Sequence, residues 1–472
     1  MCRLASRSLS LKRNRTRGLF PSNESLIAKK ERSRFMAKQS LDFSALWIQV
    51  ALGLYLIALP LSQLLAPWVR DLLLLAMAFG VAVELAKNRP ARLGEPKLQL
   101  AGPTLFFVGT FVLAIALSEN TAASLSRARH LPTGLLIFVA TQYAAGTRQG
   151  FARVGIALAS LTSVILIEGT LQSITGHGFI SDVPYWANTQ RITSGLPHPN
   201  DLAILAVLVG FLPPVLNRLG PRSRWVVGSI LFGAYIVTAS FSRSRNLWIG
   251  LLVSALVWGF ARRPKIDVKR LFTSAAIGVL LFSIVWATNL GGIQERSLSL
   301  SAIASDGRIG IWLVSWNLFE SAPFTGIGPF LFGDYYLKLV SQIDLPAGYQ
   351  PETSVVQWAH SLYLESLAER GLWGLASFVL LVGACLRRVT RSLYRIPIGS
   401  PERLHAAALA SGWSAFLVMG LFDLTFLKDW PWLAFWLLAG LSSRVDKLDF
   451  GGASASRHSA PEERAEARDA RS

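Results

Sequence analysis

The chain has 472 residues, 52% of them hydrophobic, including 26 Phe and 15 Trp, and its mean hydropathy is +0.41. A composition this apolar excludes a soluble globular protein of the same length and points to the membrane class. The formal net charge of +19 would suggest nucleic acid in a soluble domain, but its distribution along the chain excludes that partner.

Residues 1–43 are basic and poor in acids, and they lack the apolar core of a secretory signal. They read as a cytoplasmic tail without a folded core, with Met36 in "RFMAKQSLDF" as an alternative start. A spanning helix needs about 20 mostly apolar residues. Stretches of that kind occupy roughly 44–64, 68–86, 101–118, 131–146, 152–172, 201–217, 225–241, 246–261, 271–290, 362–386, 405–424 and 430–443.

With the N-terminus inside and the spans alternating, the cytoplasmic pieces are 1–43, 87–100, 147–151 with Arg153, 218–224, 262–270, 387–404 and 444–472. They hold 36 of the 47 Lys and Arg residues, the positive-inside bias of a polytopic protein. The expected fold is an all-α integral membrane domain over 44–443 with about twelve spans. The segment 444–472 is a low-complexity cytoplasmic tail. Cys2 and Cys385 are the only cysteines, so no disulfide framework is expected.

Two outer loops are long, 173–200 and 291–360. The first ends in "RITSGLPHPNDLAIL", where Arg191, His198 and Asn200 precede a span and Pro199–Asn200 read as a stop and helix cap. In "TASFSRSRNLWIG", Arg243 and Arg245 occupy a tight outer turn, against the positive-inside trend, so acids or an anionic ligand must compensate them. Snorkelling to headgroups is the alternative.

Within the second loop, "SDGRIGIWLVSWNLFESAP" (305–323) has helical periodicity. Its apolar face of Ile309, Trp312, Leu313, Trp316 and Phe319 suits the membrane–water boundary. Arg308 in its first turn adds a bidentate guanidinium to an anion-favouring helix start. The nearby "TGIGPFLFG" (325–333) follows no Rossmann-like strand, so its glycines read as a close backbone approach rather than a nucleotide site.

"WAHSLYLESLAERGLWGL" (358–375) places His360, Glu365, Glu369 and Arg370 at the mouth of a span, where charge is expensive. Glu365 and Glu369 are i,i+4 neighbours and repel one another. Because Arg370 points away on the helical wheel, Arg243, Arg245 and Arg308 are their expected partners. The outer arginines, the histidine and the acids together suit a diphosphate at the bilayer surface. No HExxH, HxxxH or cysteine ligand set is present, so no metal is expected.

These four segments, in order, resemble the O-antigen ligase and O-antigen polymerase superfamily of bacterial envelope proteins. "SFSRSRNLWIG" is similar to its Ser-Arg turn, "GRIGIWLVSWNLFESAPFTGIGPFLFGDYY" to its Arg…Ile-Trp…Gly-x-Gly segment, and "HSLYLESLAERGLWG" to its His…Glu-x-Gly-x-x-Gly segment. The resemblance covers 191–374.

It implies a GT-C-like membrane glycosyltransferase in the bacterial inner membrane, with both termini cytoplasmic and its site facing the periplasm. The donor would be a glycan on undecaprenyl diphosphate and the acceptor a glycolipid or glycan hydroxyl, with no cofactor, metal or nucleic acid involved. By that resemblance His360 is catalytic, and Arg245 and Arg308 engage the diphosphate, with Arg243 and Arg191 as further candidates. Glu365 and Glu369 would hold arginines in place. A ligase is the expected branch. A polymerase of the same superfamily and a secondary transporter of the bicarbonate type are the alternatives, the latter disfavoured because the charges gather at outer helix ends rather than mid-membrane.

Overall fold

The computed structural model describes residues 45–87, 100–180, 191–262, 283–295, 308–343 and 356–448, with positions 64, 66 and 129 excepted, together with 280 and 345. Among these residues the fold is all helical, with no strand. In chain order the helices are α1 (Ala45–Ala58), α2 (Pro67–Lys87), α3 (Ala101–Ala116), the short α4 (Thr121–Arg127), α5 (His130–Ala144) and α6 (Arg148–Thr175). There follow α7 (Pro199–Leu216), α8 (Pro221–Ser242), α9 (Arg245–Arg262), α10 (Arg308–Ser321), α11 (Phe332–Val340), α12 (Leu362–Arg395), α13 (Pro401–Met419) and α14 (Asp429–Arg444).

Helices occupy the position of every predicted span except 271–290, which lies largely outside the described residues. Four of them, α6, α7, α8 and α12, are long and apolar enough to cross a bilayer, and α1 and α3 are shorter apolar helices. The tails 1–43 and 444–472 lie outside the described residues but for 444–448.

Apolar side chains divide between two surroundings. Leu75, Leu105, Ile174, Trp225 and Leu252 are all more than half exposed on the outside of the bundle, the pattern of a lipid-facing surface. Inside, Phe107, Phe378, Phe426, Trp432, Phe435 and Trp436 interlock, with Phe426 and Phe435 ring centroids 5.1 Å apart. Close approach depends on small residues, as expected where helices pack without a hydrophobic drive between them. A Cβ on Gly250 of α9 would lie 2.4 Å from Met419 Sδ of α13 and 2.8 Å from Ala206 Cβ of α7. α7 itself alternates between 3₁₀ and α geometry, with Pro213 and Pro214 in its last part.

Helix ends are tied at two opposite ends of the bundle. At one, Arg403 donates to the carbonyls of Ala261, Arg262, Leu393 and Ile396, and Arg388 to those of Ser442 and Ser443. These guanidiniums satisfy carbonyls that helix termini leave without intrahelical partners.

At the other end lies the described part of the long loop. The helix expected over 305–323 runs from Arg308 to Ser321. It buries Ile311, Val314 and Leu318 in a small core with Phe332, Tyr336 and Ala368. The apolar face expected at the boundary is its less buried side, with Trp316 48% exposed; the helix is apolar on both faces, which the one-sided expectation missed. Arg127 clamps α11 by a two-pronged pair to Asp334, both bonds 3.0 Å, and also donates to the Phe330 carbonyl.

The glycine-rich segment packs on a break in α12. Gly371 has φ 63° and ψ −162°, a region essentially restricted to glycine. The Ile327 and Gly328 N–H groups donate to the Ala368 and Glu369 carbonyls, and the Leu372 N–H donates to Pro323. A Cβ on Gly326 would sit 2.2 Å from the Glu369 carbonyl carbon, so the glycines serve backbone approach, as expected.

Candidate active site

Beside that break, at the same end of the bundle, the polar residues converge. His360 precedes α12, which starts at Leu362, and has φ +48°. Non-glycine residues held there are strained by roughly 1–3 kcal/mol and persist where surrounding contacts over-determine them. Its Nδ1 lies 2.6 Å from Asp423 Oδ1. The Asp423 side chain is 2% exposed and the His360 side chain 21%. The Met419–Asp429 connection between α13 and α14 carries Asp423, because α13 ends at Met419 rather than running to 424.

The opposite carboxylate oxygen of Asp423 accepts from Asn200 Nδ2, and Asn200 Oδ1 accepts from Arg191 Nη2 at 2.5 Å. Arg191 is further fixed by its Nε, which donates to the Ser242 carbonyl at 2.7 Å. Asn200 is therefore not a helix cap. That place is taken by His198, whose Nδ1 accepts from the Asn200 N–H at 3.0 Å. Lys428 pairs with the buried Asp201 at 2.7 Å and lies over the Trp358 ring at 4.6 Å. Trp358 in turn stands 5.3 Å, ring to ring, from His360.

The electrostatics follow from this packing. Burial opposes ionisation of Asp423, but the hydrogen bond and charge of His360, with the charges of Lys428 and Arg308, outweigh it, and the carboxyl titrates below its ordinary value. His198 is pushed down to about 4 by burial, then by the Lys428 and Arg191 charges, and is neutral at physiological pH. Opposite an ionised carboxylate, the Nδ1 of a neutral His360 is the donor of this bond, and Nε2 is then the acceptor.

The predicted site residues thus separate. Arg191, Arg308 and His360 belong to one cluster with His198, Asn200, Asp423 and Lys428. Arg245 opens α9, and its neighbour Asn246 donates to the Met419 carbonyl, four residues before Asp423. Arg243 is the C-cap of α8 with φ +52° and donates through Nε to the Gly291 carbonyl at 2.5 Å.

Glu365 and Glu369 bond differently from the arginine-holding role expected of them. Glu365 accepts from the Thr425 hydroxyl and the Phe426 N–H, and Glu369 from the Phe330 and Phe332 N–H groups. Arg370, expected to point away, is buried with its guanidinium 4.1 Å from the Phe111 ring centre and bonded to Ser366. The donors to both acids come from loops distant in sequence, at 425–426 and 330–332, which a helical wheel of this segment does not contain.

Asp423, Lys428 and Asp201 were missed by sequence reasoning. The available signal was "LFDLTFLKDWPW" (421–432), where three charged residues crowd a short connection between apolar spans.

Fold and site together define an all-helical bundle with four helices long and apolar enough to cross a bilayer and a cation-rich polar centre at one end. Residues 228–379 match the family model described as O-antigen ligase, so this segment of the chain is similar to that superfamily. The matched segment holds Arg243, Arg245, Arg308, His360, Glu365 and Glu369, whereas Arg191, Asp423 and Lys428 lie outside it. None of the curated proteins compared with the chain matches it.

Proposed function

We propose that the protein is an O-antigen ligase-type glycosyltransferase of the bacterial inner membrane, working at the periplasmic face. It moves a saccharide chain from undecaprenyl diphosphate to a sugar hydroxyl of lipid A–core or a similar acceptor. The observation that supports this reading best is the His360–Asp423 pair, at 2.6 Å, set among arginines and a lysine in a chain whose 228–379 segment is similar to this superfamily. The positive-inside bias of the sequence supports an outer position for that end of the bundle.

In the proposed reaction the acceptor oxygen attacks the anomeric carbon as the sugar–phosphate bond breaks. The bonding pair leaves with the diphosphate, and the hydroxyl proton passes to Nε2 of His360, which acts as general base. Asp423 orients the imidazole and stabilises the imidazolium that forms. Arg245 and Arg308 stabilise the charge growing on the diphosphate, each contributing on the order of 3–4 kcal/mol if it behaves as a single oxyanion donor does elsewhere. Arg191 holds Asn200, and through it Asp423, and Arg243 fixes the 289–292 turn. The donor carries its own leaving group, so no nucleotide or metal is required.

Deleting the gene and separating envelope glycans by electrophoresis tests the assignment. A ligase mutant loses long chains from lipid A–core and accumulates them on the carrier lipid. A single repeat left on the core would identify a polymerase instead. Unchanged glycans with altered solute uptake would replace both readings with transport.

A further inference from the structure

We infer that Glu365 is a positioning residue for the His360–Asp423 pair, acting through the turn that carries Asp423 rather than through any arginine. The inference builds on the proposed transfer reaction for its kinetic consequence, although its geometry stands without it.

His360 and Asp423 come from segments far apart in sequence, and neither lies inside a helix. His360 precedes α12 in a left-handed conformation, and Asp423 lies in the connection after Met419. Their own helices therefore cannot set the 2.6 Å separation. Two ties between the segments can. The Leu362 N–H donates to the Gly420 carbonyl at 2.8 Å. Glu365 Oε1 accepts from Thr425 Oγ1 at 2.8 Å and from the Phe426 N–H at 3.1 Å.

These ties bracket Asp423, since 420 and 425–426 lie on either side of it, and join it to positions 362 and 365 just after His360. Thr425 extends the second tie, since its Oγ1 also accepts from the Leu427 N–H at 3.0 Å, next to Lys428. Glu365 is 4% exposed, and a buried acid is costly unless its bonds serve something. A carboxylate oxygen accepting two bonds from one turn fixes that turn's register against the first turn of α12. An apolar side chain of similar size would fill the space without doing so.

The test uses the full chain in lipid nanodiscs. Diethyl pyrocarbonate modification of His360 is followed by peptide mass spectrometry in wild type, Glu365→Ala, Glu365→Gln, Thr425→Val and Asp423→Asn. Transfer from an undecaprenyl-diphosphate-linked repeat unit is measured in parallel.

Glu365→Ala and Thr425→Val should change the His360 modification rate in the same direction and by a similar factor as Asp423→Asn. Glu365→Gln, which keeps an accepting oxygen, should stay near wild type. In the transfer assay the first two should lower kcat by about 10–100-fold with donor KM within about twofold. Thr425→Val carries the test if Glu365→Ala does not fold. Wild-type His360 reactivity in both Glu365→Ala and Thr425→Val, with Asp423→Asn altered, would overturn the inference. Full transfer by His360→Ala would instead remove the proposed chemistry, and the modification readout would still decide the role of Glu365.

Discussion

Asp423→Asn is the sharpest test of the proposed chemistry because the surrounding donors dictate what the amide must do. Arg191 has only donors to offer, so the Asn200 amide turns its oxygen to Arg191 and its nitrogen to residue 423. An asparagine at 423 must then turn its own oxygen to Asn200 and present its NH2 to His360. His360 Nδ1 can only accept from it, which drives the proton to Nε2 and removes the base.

The loss of charge adds to the loss of tautomer. A hydrogen bond to a charged group contributes about 1.5–3 kcal/mol. Two unit charges about 4 Å apart gain roughly 4 kcal/mol at an effective dielectric of about 20. Asp423 is buried, with a side chain 2% exposed, so screening is weak, and the expected fall in kcat is about 10- to 1000-fold. The assay is single-turnover transfer from a purified lipid-linked donor, with Asp423→Ala alongside. Because the alanine leaves the tautomer unforced, Asp423→Asn should be no better than Asp423→Ala. Transfer by Asp423→Asn within about threefold of wild type would refute the tautomer argument and the role of His360 as base.

Other outcomes follow from the same contacts. His360→Ala and Arg308→Ala should each abolish transfer while expression and membrane insertion, read by immunoblot of washed membranes, stay intact. Arg245→Ala should lower kcat by about 100- to 1000-fold. Arg243→Ala, which removes the bond to the Gly291 carbonyl, should lower the melting temperature more than it lowers transfer. His198 has a folded-state pKa of about 4, below the unfolded value of about 6.5. The unfolded chain therefore binds the proton first, and stability falls as pH drops between those values; thermal melts across that range should show the slope, and His198→Asn should flatten it. Gly371→Ala places a Cβ 2.3 Å from the Phe324 carbonyl carbon at a φ that alanine avoids. Strain alone is about 1–3 kcal/mol, so a melting temperature equal to wild type would contradict the close approach.

What could be read in the sequence and what could not divide along a physical line. Helix positions were legible because long apolar runs mark them, and helices fall at those places wherever the chain is described. Arg308 at the start of α10 and the glycines of 326–328 were legible for a similar reason: a helix start and a backbone approach are local events with local signatures. Asp423 was not, because its importance lies in a contact with His360 across 63 positions, and nothing in the neighbourhood of either residue announces the other. Glu365 and Glu369 were noticed, but the groups they bond to lie in loops at 425–426 and 330–332, contacts that no local pattern announces.

The break at Gly371 shapes what surrounds the second of these acids. By interrupting α12, Gly371 lets the 323–328 segment pair with carbonyls at 368–369 and brings the Phe330 and Phe332 N–H groups to Glu369. On the other side, Glu365 holds 425–426. Two carboxylates one turn apart, which would repel on an uncommitted surface, are thus each engaged by N–H or hydroxyl donors from a different loop. The loops they hold carry Asp423 and Lys428 on one side and the approach to α11 on the other, so the two acids tie both loops to the start of α12.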